Sequence, residues 1–162
     1  MNRLITTFFY AGLMRPAPGT WGSLAAILVG LAIHMIGGPI TLALATIVMF
    51  FLSISAIRAE TAGIDDPDKS EIVCDEVVGQ WIALLPVSLG AATMNADIFA
   101  LWPGIVAAFV LFRVFDIWKP GPIGKADRRH DVMGVLLDDV LAGVFAAILV
   151  IVLAGLSHGF LM

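Results

Sequence analysis

Charge is what this sequence has least of: lysine, arginine, aspartate and glutamate make up 14% of its 162 residues, against 60% apolar residues. Soluble domains carry about 25% charged residues. With a mean hydropathy of +0.99, the chain belongs in a bilayer. A basic excess is also missing, since nine lysines and arginines stand against thirteen acids for a net charge of -4. That balance excludes a nucleic-acid-binding surface. One cysteine is present, so there is no internal disulfide framework, and Cys74 reads as a small buried thiol in an apolar helix. The stretch after Arg3 is apolar like a leader peptide but lacks a small-residue cleavage pattern. We expect it to be retained, lying on or dipping into the membrane.

What the chain does have is long apolar runs. A span needs about 20 apolar residues, with tolerance for shorter ones. Five segments qualify: 20–36, 40–57, 72–92, 98–118 and 135–156. The expected fold is therefore all-α, a polytopic membrane helix bundle of about five transmembrane helices plus an N-terminal interfacial or re-entrant segment. Residues 1–162 read as one membrane-embedded domain without repeat or linker. Gly37-Gly38-Pro39 predicts a tight hairpin between the first two spans, and Asn95-Ala96-Asp97 a short turn between the third and fourth. Pro86 and Pro103 fall inside spans and are expected to kink them.

The two longer links, 58–71 and 119–134, hold most of the charge. Alternating the spans puts Arg3, Arg15, Arg58, Lys69, Lys119, Lys125, Arg128 and Arg129 on one side, with Arg113 near it and no lysine or arginine opposite. The excess of positive charge on cytoplasmic loops then predicts a cytoplasmic N-terminus and cytoplasmic long loops.

Five acids interrupt the spans at that same side. Asp75 and Glu76 open the third, Asp116 nearly ends the fourth, and Asp138 and Asp139 stand one turn into the fifth. Carboxylates inside a membrane cost a few kcal/mol each, about 2.5–3.5 on insertion scales, unless paired or metal-bound. Convergence at one depth points to a shared hard cation, for which Mg²⁺ is the natural choice because it takes oxygen ligands and keeps waters. Neighbouring acids point about 100° apart on a helix, so three of the five are expected to ligate directly. Gly79 and Gly143, each four residues after an acid, are small enough for close helix approach.

Cations stand beside these acids. If 98–118 is helical, Arg113, Asp116 and Lys119 recur every three residues on one face. Ordinary pairing and snorkelling would also account for them. At the start of the first span, Pro16-Ala17-Pro18-Gly19-Thr20-Trp21-Gly22-Ser23 sets a tight entry in which Thr20 or Ser23 would cap the helix. Such an N-terminus is a candidate anion cradle.

Four stretches, Pro18-Gly-Thr-Trp-Gly-Ser-Leu-Ala-Ala26, Asp75-Glu-Val-Val-Gly79, Phe112-Arg-Val-Phe-Asp-Ile-Trp-Lys-Pro120 and Gly134-Val-Leu-Leu-Asp-Asp-Val-Leu-Ala-Gly143, resemble the phosphatidylglycerophosphatase A family in order and spacing, over nearly the whole chain. The resemblance implies a Mg²⁺-dependent lipid phosphatase of the bacterial inner membrane that converts phosphatidylglycerophosphate to phosphatidylglycerol. Asp75, Glu76, Asp116, Asp138 and Asp139 would hold the metal, with Asp75, Asp116, Lys119 and Asp139 catalytic. Thr20, Ser23, Arg113 and Lys119 would bind the substrate phosphate. Either an activated water or a carboxylate would attack phosphorus. No role is assigned to residues 124–131 beyond a candidate proton donor, His130, or to His34 and His158.

Other classes compete. An ion-coupled transporter would also bury acids, but usually near the midplane between repeats. A transferase joining alcohols to nucleotide-activated lipids would need an Asp-x2-Asp-Gly-x2-Ala-Arg pattern, which is absent. A Cys-x5-Arg phosphatase loop would need arginine at position 80, which is Gln80.

Overall fold

In the computed structural model, residues 2–63, 69–129 and 131–161 are described, the last few of them by backbone alone. The elements are α1 (Asn2–Thr6), a 3-10 turn (Ala11–Leu13), α2 (Pro18–Glu60), α3 (Cys74–Thr93), a 3-10 turn (Ile98–Leu101), α4 (Trp102–Trp118), α5 (Pro122–Asp127) and α6 (Val132–Leu161). No strand occurs among the described residues. Four helical stretches, Pro18–Glu60, Cys74–Thr93, Ile98–Trp118 and Val132–Ser157, are long and apolar enough to cross a membrane.

The longest of these is a hairpin. On a straight helix, residues 22 and 53 would lie about 46 Å apart. Instead, a β-carbon on Gly22 would stand 2.7 Å from Val73, while Ser53 Oγ donates to the carbonyl oxygen of the next residue, Cys74, at 3.3 Å. The reversal is at Gly37 and Gly38, the non-helical residues within α2. Gly38 has φ +67°, the left-handed region that glycine enters without a side-chain penalty. Pro39 follows in the first turn of the returning arm, where its missing N–H is no loss. Residues 18–36 and 39–60 are thus antiparallel arms.

Against the first arm, α3 runs parallel. Trp81 Nε1 donates to Ala26 O at 2.7 Å, and His34 Nδ1 lies 2.6 Å from Ser88 Oγ one level further on. With Val77, Val78, Ala83, Leu84 and Val87 buried, α3 is the centre of the bundle. The crossing with α6 is close, because β-carbons on Gly79 and Gly143 would each meet backbone of the facing helix. α4 runs antiparallel to α3, with Phe112 beside Gly79 and Gly104 beside Val87. The outward faces carry Leu28, Ile47, Phe51, Val110, Ile148 and Ile151, all exposed. Such a surface suits hydrocarbon rather than water.

The N-terminal segment does not span. α1 is followed by Phe8, Phe9 and Tyr10 at φ 41°, 55° and 70°, which turn the chain back. Phe8 is buried, its ring 6.2 Å from Trp81 in edge-on contact. Thr6 O accepts from Val73 N at 2.8 Å, tying this segment to the start of α3. Two expectations change. Pro103 stands in the first turn of α4, where no kink is required. The link 119–134 contains α5, and α6 begins at Val132, which puts Asp138 and Asp139 about two turns into their helix.

Candidate active site

Because α3 and α6 start, and α4 ends, at one end of the bundle, the motif acids arrive together. α6 enters deeper, with Asp139 backbone level with Gly79. Its side chain leans back toward the helix N-terminus, as helical side chains do. One carboxylate oxygen from each of Asp75, Glu76 and Asp139 lies within 4.8 Å of the others. Asp75 and Asp139 are buried and Glu76 is half-buried.

The nearby cations are occupied by other acids. Arg113 donates to Asp116 one helical turn on. Lys119 donates to Asp138 at 2.8 Å and also to Asp127 of α5. Among the described residues no ion pair reaches Asp75, Glu76 or Asp139, so three clustered carboxylates lack a directly bonded cation. Glu76 Oε2 and Asp139 Oδ1 are buried without a hydrogen-bond partner. An arrangement of that kind is costly unless a cation joins it. The donor set, all carboxylate oxygen, fits a hard divalent ion such as Mg²⁺.

Lys119 caps α4 in the left-handed region, φ 48°, and so leaves the face shared by Arg113 and Asp116. It turns toward α5 and α6. Burial alone would lower its pKa, but the hydrogen bonds to Asp127 and Asp138 outweigh that and hold it above the ordinary lysine value. The group is a fixed positive charge at neutral pH. At the outer edge, Asp131 accepts from Gly134 N at 2.7 Å, capping the start of α6, and pairs with Arg129. The hydrogen bond from Arg129, then that from Gly134, lowers its pKa.

The N-terminus of α2 closes the other side. A β-carbon on Gly19 would run into Glu76 Oε1 and lie 3.1 Å from Arg113 Nη1. The first-turn amides of α2, which have no intrahelical acceptor, therefore stand beside the acids and Arg113. Neither predicted hydroxyl caps this helix. Its N-cap position is Ala17, without a side-chain hydrogen bond, and Ser23 is fully buried, donating to Gly19 O at 2.8 Å. Thr20 lies half-buried in the first turn.

The structure thus brings Asp75, Glu76 and Asp139 into one cluster, with Arg113–Asp116 and Lys119–Asp138 as ion pairs in the elements around it. Two residues were not singled out by sequence reasoning. Asp127 comes from the stretch given no role, and nothing in its local sequence marks it. Gln80 is fully buried with both amide atoms unpartnered; its signal was an uncharged polar residue in an apolar span, four positions after Glu76. His130 lies outside the described residues, as do the side chain of His158 and the link residues 64–68.

Fold and site define a polytopic helical membrane protein with a carboxylate centre suited to a divalent cation beside basic groups suited to an anion. The profile of the family described as phosphatidylglycerophosphatase A matches residues 4–154, and the chain belongs to that family of phosphatases. A phosphatidylglycerophosphatase A of Haemophilus influenzae is 38% identical over 91% of this chain and 85% of its own. One from Escherichia coli is 35% identical over 89% and 78%. A putative phosphatidylinositol-3-phosphatase of Bacteroides thetaiotaomicron is 39% identical over 92% and 91%. No solved structure matches the chain.

Proposed function

We propose that the protein removes the terminal phosphate of phosphatidylglycerophosphate to give phosphatidylglycerol, with Mg²⁺ as cofactor, at the cytoplasmic face of a bacterial inner membrane. The observation that carries this reading is the cluster of Asp75, Glu76 and Asp139, buried or half-buried and outside the ion pairs of the described residues, in a chain of this family. Mg²⁺ bound there supplies the positive charge that phosphoryl oxygens need and makes a water more acidic.

Every other task falls to side chains. Phosphate monoester hydrolysis is governed by positioning and by neutralising the phosphoryl oxygens. Arg113 offers Nε, which is buried without a partner, as a donor to one oxygen. Lys119 contributes a point charge, and the first-turn amides of α2 at Gly19 and Thr20 contribute neutral donors. Asp116 and Asp138 orient Arg113 and Lys119 through their ion pairs. A site at the end of the bundle lets the headgroup enter while the acyl chains stay in the bilayer. With charged links and N-terminus at that end, the bias of basic residues supports a cytoplasmic location.

The transporter alternative has no comparable support, since the acids gather at one end and none of the relatives named above is a carrier. The inositide relative bears on headgroup choice alone.

The test is phosphate release in detergent micelles from phosphatidylglycerophosphate and from phosphatidylinositol 3-phosphate, with Mg²⁺ or with excess chelator, for the parent and Asp139→Asn. We expect metal-dependent release from phosphatidylglycerophosphate that Asp139→Asn abolishes while remaining folded. Release from the inositide alone would reassign the substrate. No release from either with any divalent cation would remove the phosphatase reading.

A further inference from the structure

We propose that Gln80 is the polar floor of the cation site, a positioning residue whose amide hydrogen-bonds the hydration shell of the ion held by Asp75, Glu76 and Asp139. The inference rests on the cation reading above and extends it to a residue outside the acidic cluster. Gln80 is fully buried, and neither Oε1 nor Nε2 has a hydrogen-bond partner. Buried amides are rarely left so. The buried side-chain atoms without partners among the described residues belong to Glu76, Gln80, Arg113, Asp138 and Asp139, all at the site end of the bundle. Their grouping indicates a polar site, a cation for the carboxylates and an anion for Arg113, rather than scattered packing faults.

Register supplies the direction. Four residues after Glu76, Gln80 shares its side of α3, about 6 Å deeper along the axis. Its side chain leans toward the start of the helix, that is, toward Glu76. Gly79, the residue before Gln80, is packed against Phe112 and the Asp139 backbone, which brings α6 close to α3 at this depth. An amide suits this depth better than a fourth carboxylate. It presents an acceptor and two donors without adding charge to three acids that already repel, and Mg²⁺ keeps several waters that need such partners. Groups that hold a metal site from outside its ligands commonly change affinity about 10- to 100-fold when removed.

The experiment is a Mg²⁺ titration of the melting temperature, with Mg²⁺ alone and no lipid substrate, on the purified chain in detergent after chelator treatment. The parent, Gln80→Leu, Gln80→Glu and Asp139→Asn are compared. We expect Gln80→Leu to melt at or above the parent in chelator, since it removes an unpartnered amide. It should nonetheless need about 10- to 100-fold more Mg²⁺ for half of the shift. Gln80→Glu, with an oxygen in the same place, should return the midpoint to within a few-fold of the parent. A parental midpoint for Gln80→Leu, beside a lost response in Asp139→Asn, would overturn the role of Gln80 and leave the cation site standing. A Gln80→Leu protein that melts well below the parent in chelator would show a purely structural amide and overturn it too. No Mg²⁺ response in the parent would remove both readings together.

Discussion

Gly79 and Gly143 face each other where α3 crosses α6: a β-carbon on Gly143 would overlap the carbonyl oxygen of Gly79, and one on Gly79 would stand 2.5 Å from the carbonyl oxygen of Asp139. The contact is backbone on backbone, so neither side can yield by turning a side chain. Helices that approach this closely set the separation between Asp75, one turn before Gly79, and Asp139, whose backbone forms part of the crossing. Gly143→Ala is therefore expected to push α6 away from α3. Overpacking of this kind costs about 1–3 kcal/mol. Melting in detergent should fall, and the Mg²⁺ midpoint should rise, because the acids separate. An unchanged midpoint would show that the crossing does not set the site.

Lys119 gives a different test. Its Nζ stands between Asp127 and Asp138, and removing it strands a nearly buried carboxylate. Lys119→Met should cost about 1–3 kcal/mol of stability. If the same charge also neutralises a phosphoryl oxygen, phosphate release should drop about 10²- to 10³-fold. Lys119→Arg should not rescue it, since a wide planar guanidinium does not reproduce the compact point charge held between two carboxylates. Parental turnover in Lys119→Arg would mean that charge alone suffices. Asp127→Asn keeps the bond to Asp138 and should lower turnover less than Lys119→Met.

The pH dependence of that pair follows from its direction. The pKa of Lys119 is raised above its ordinary value of 10.5 in the folded chain. A raised value means stabilisation that is complete below the unfolded pKa and is lost only as pH climbs through the folded one. Between pH 6 and 9 the contribution of Lys119 should be constant. Melts of the parent and Lys119→Met across that window should differ by a fixed amount. A gap that narrows toward pH 9 would place the ammonium in a less paired environment.

How much of this was legible depends on range along the chain. The hairpin at Gly37-Gly38-Pro39 was readable because a left-handed turn is a local demand. The meeting of Asp75, Glu76 and Asp139 was foreshadowed by depth alone, since helices that alternate direction must bring their motif ends to one side. Which three of the five acids form the cluster was not readable, because it depends on which helices flank α3. Lys119 was expected on the face of Arg113 and Asp116. Helical periodicity stops where the chain caps, and a left-handed residue at that point sends its side chain elsewhere. Asp127 matters through α5, a short helix inside a polar link, where no apolar period announces an element. Gln80 becomes informative only when burial and the lack of a partner are both known.

The last prediction separates the site from the fold at one residue. Gly19 lies in the first turn of α2, and its backbone is not in the left-handed region, so alanine is sterically allowed there. Gly→Ala within a helix contributes up to about 1 kcal/mol of stability through propensity alone. The added methyl, however, would collide with Glu76 Oε1 and crowd Arg113. The carboxylate, as the end of a flexible side chain, is what must move. Gly19→Ala should then melt within about 1 kcal/mol of the parent while binding Mg²⁺ more weakly and releasing phosphate more slowly. The comparison is a chelated melt, a Mg²⁺ titration and an initial rate on the same preparation. Loss of stability together with activity would assign Gly19 to packing. Unchanged affinity and rate would show that the start of α2 does not border the reacting groups, and would remove its amides from the phosphate cradle.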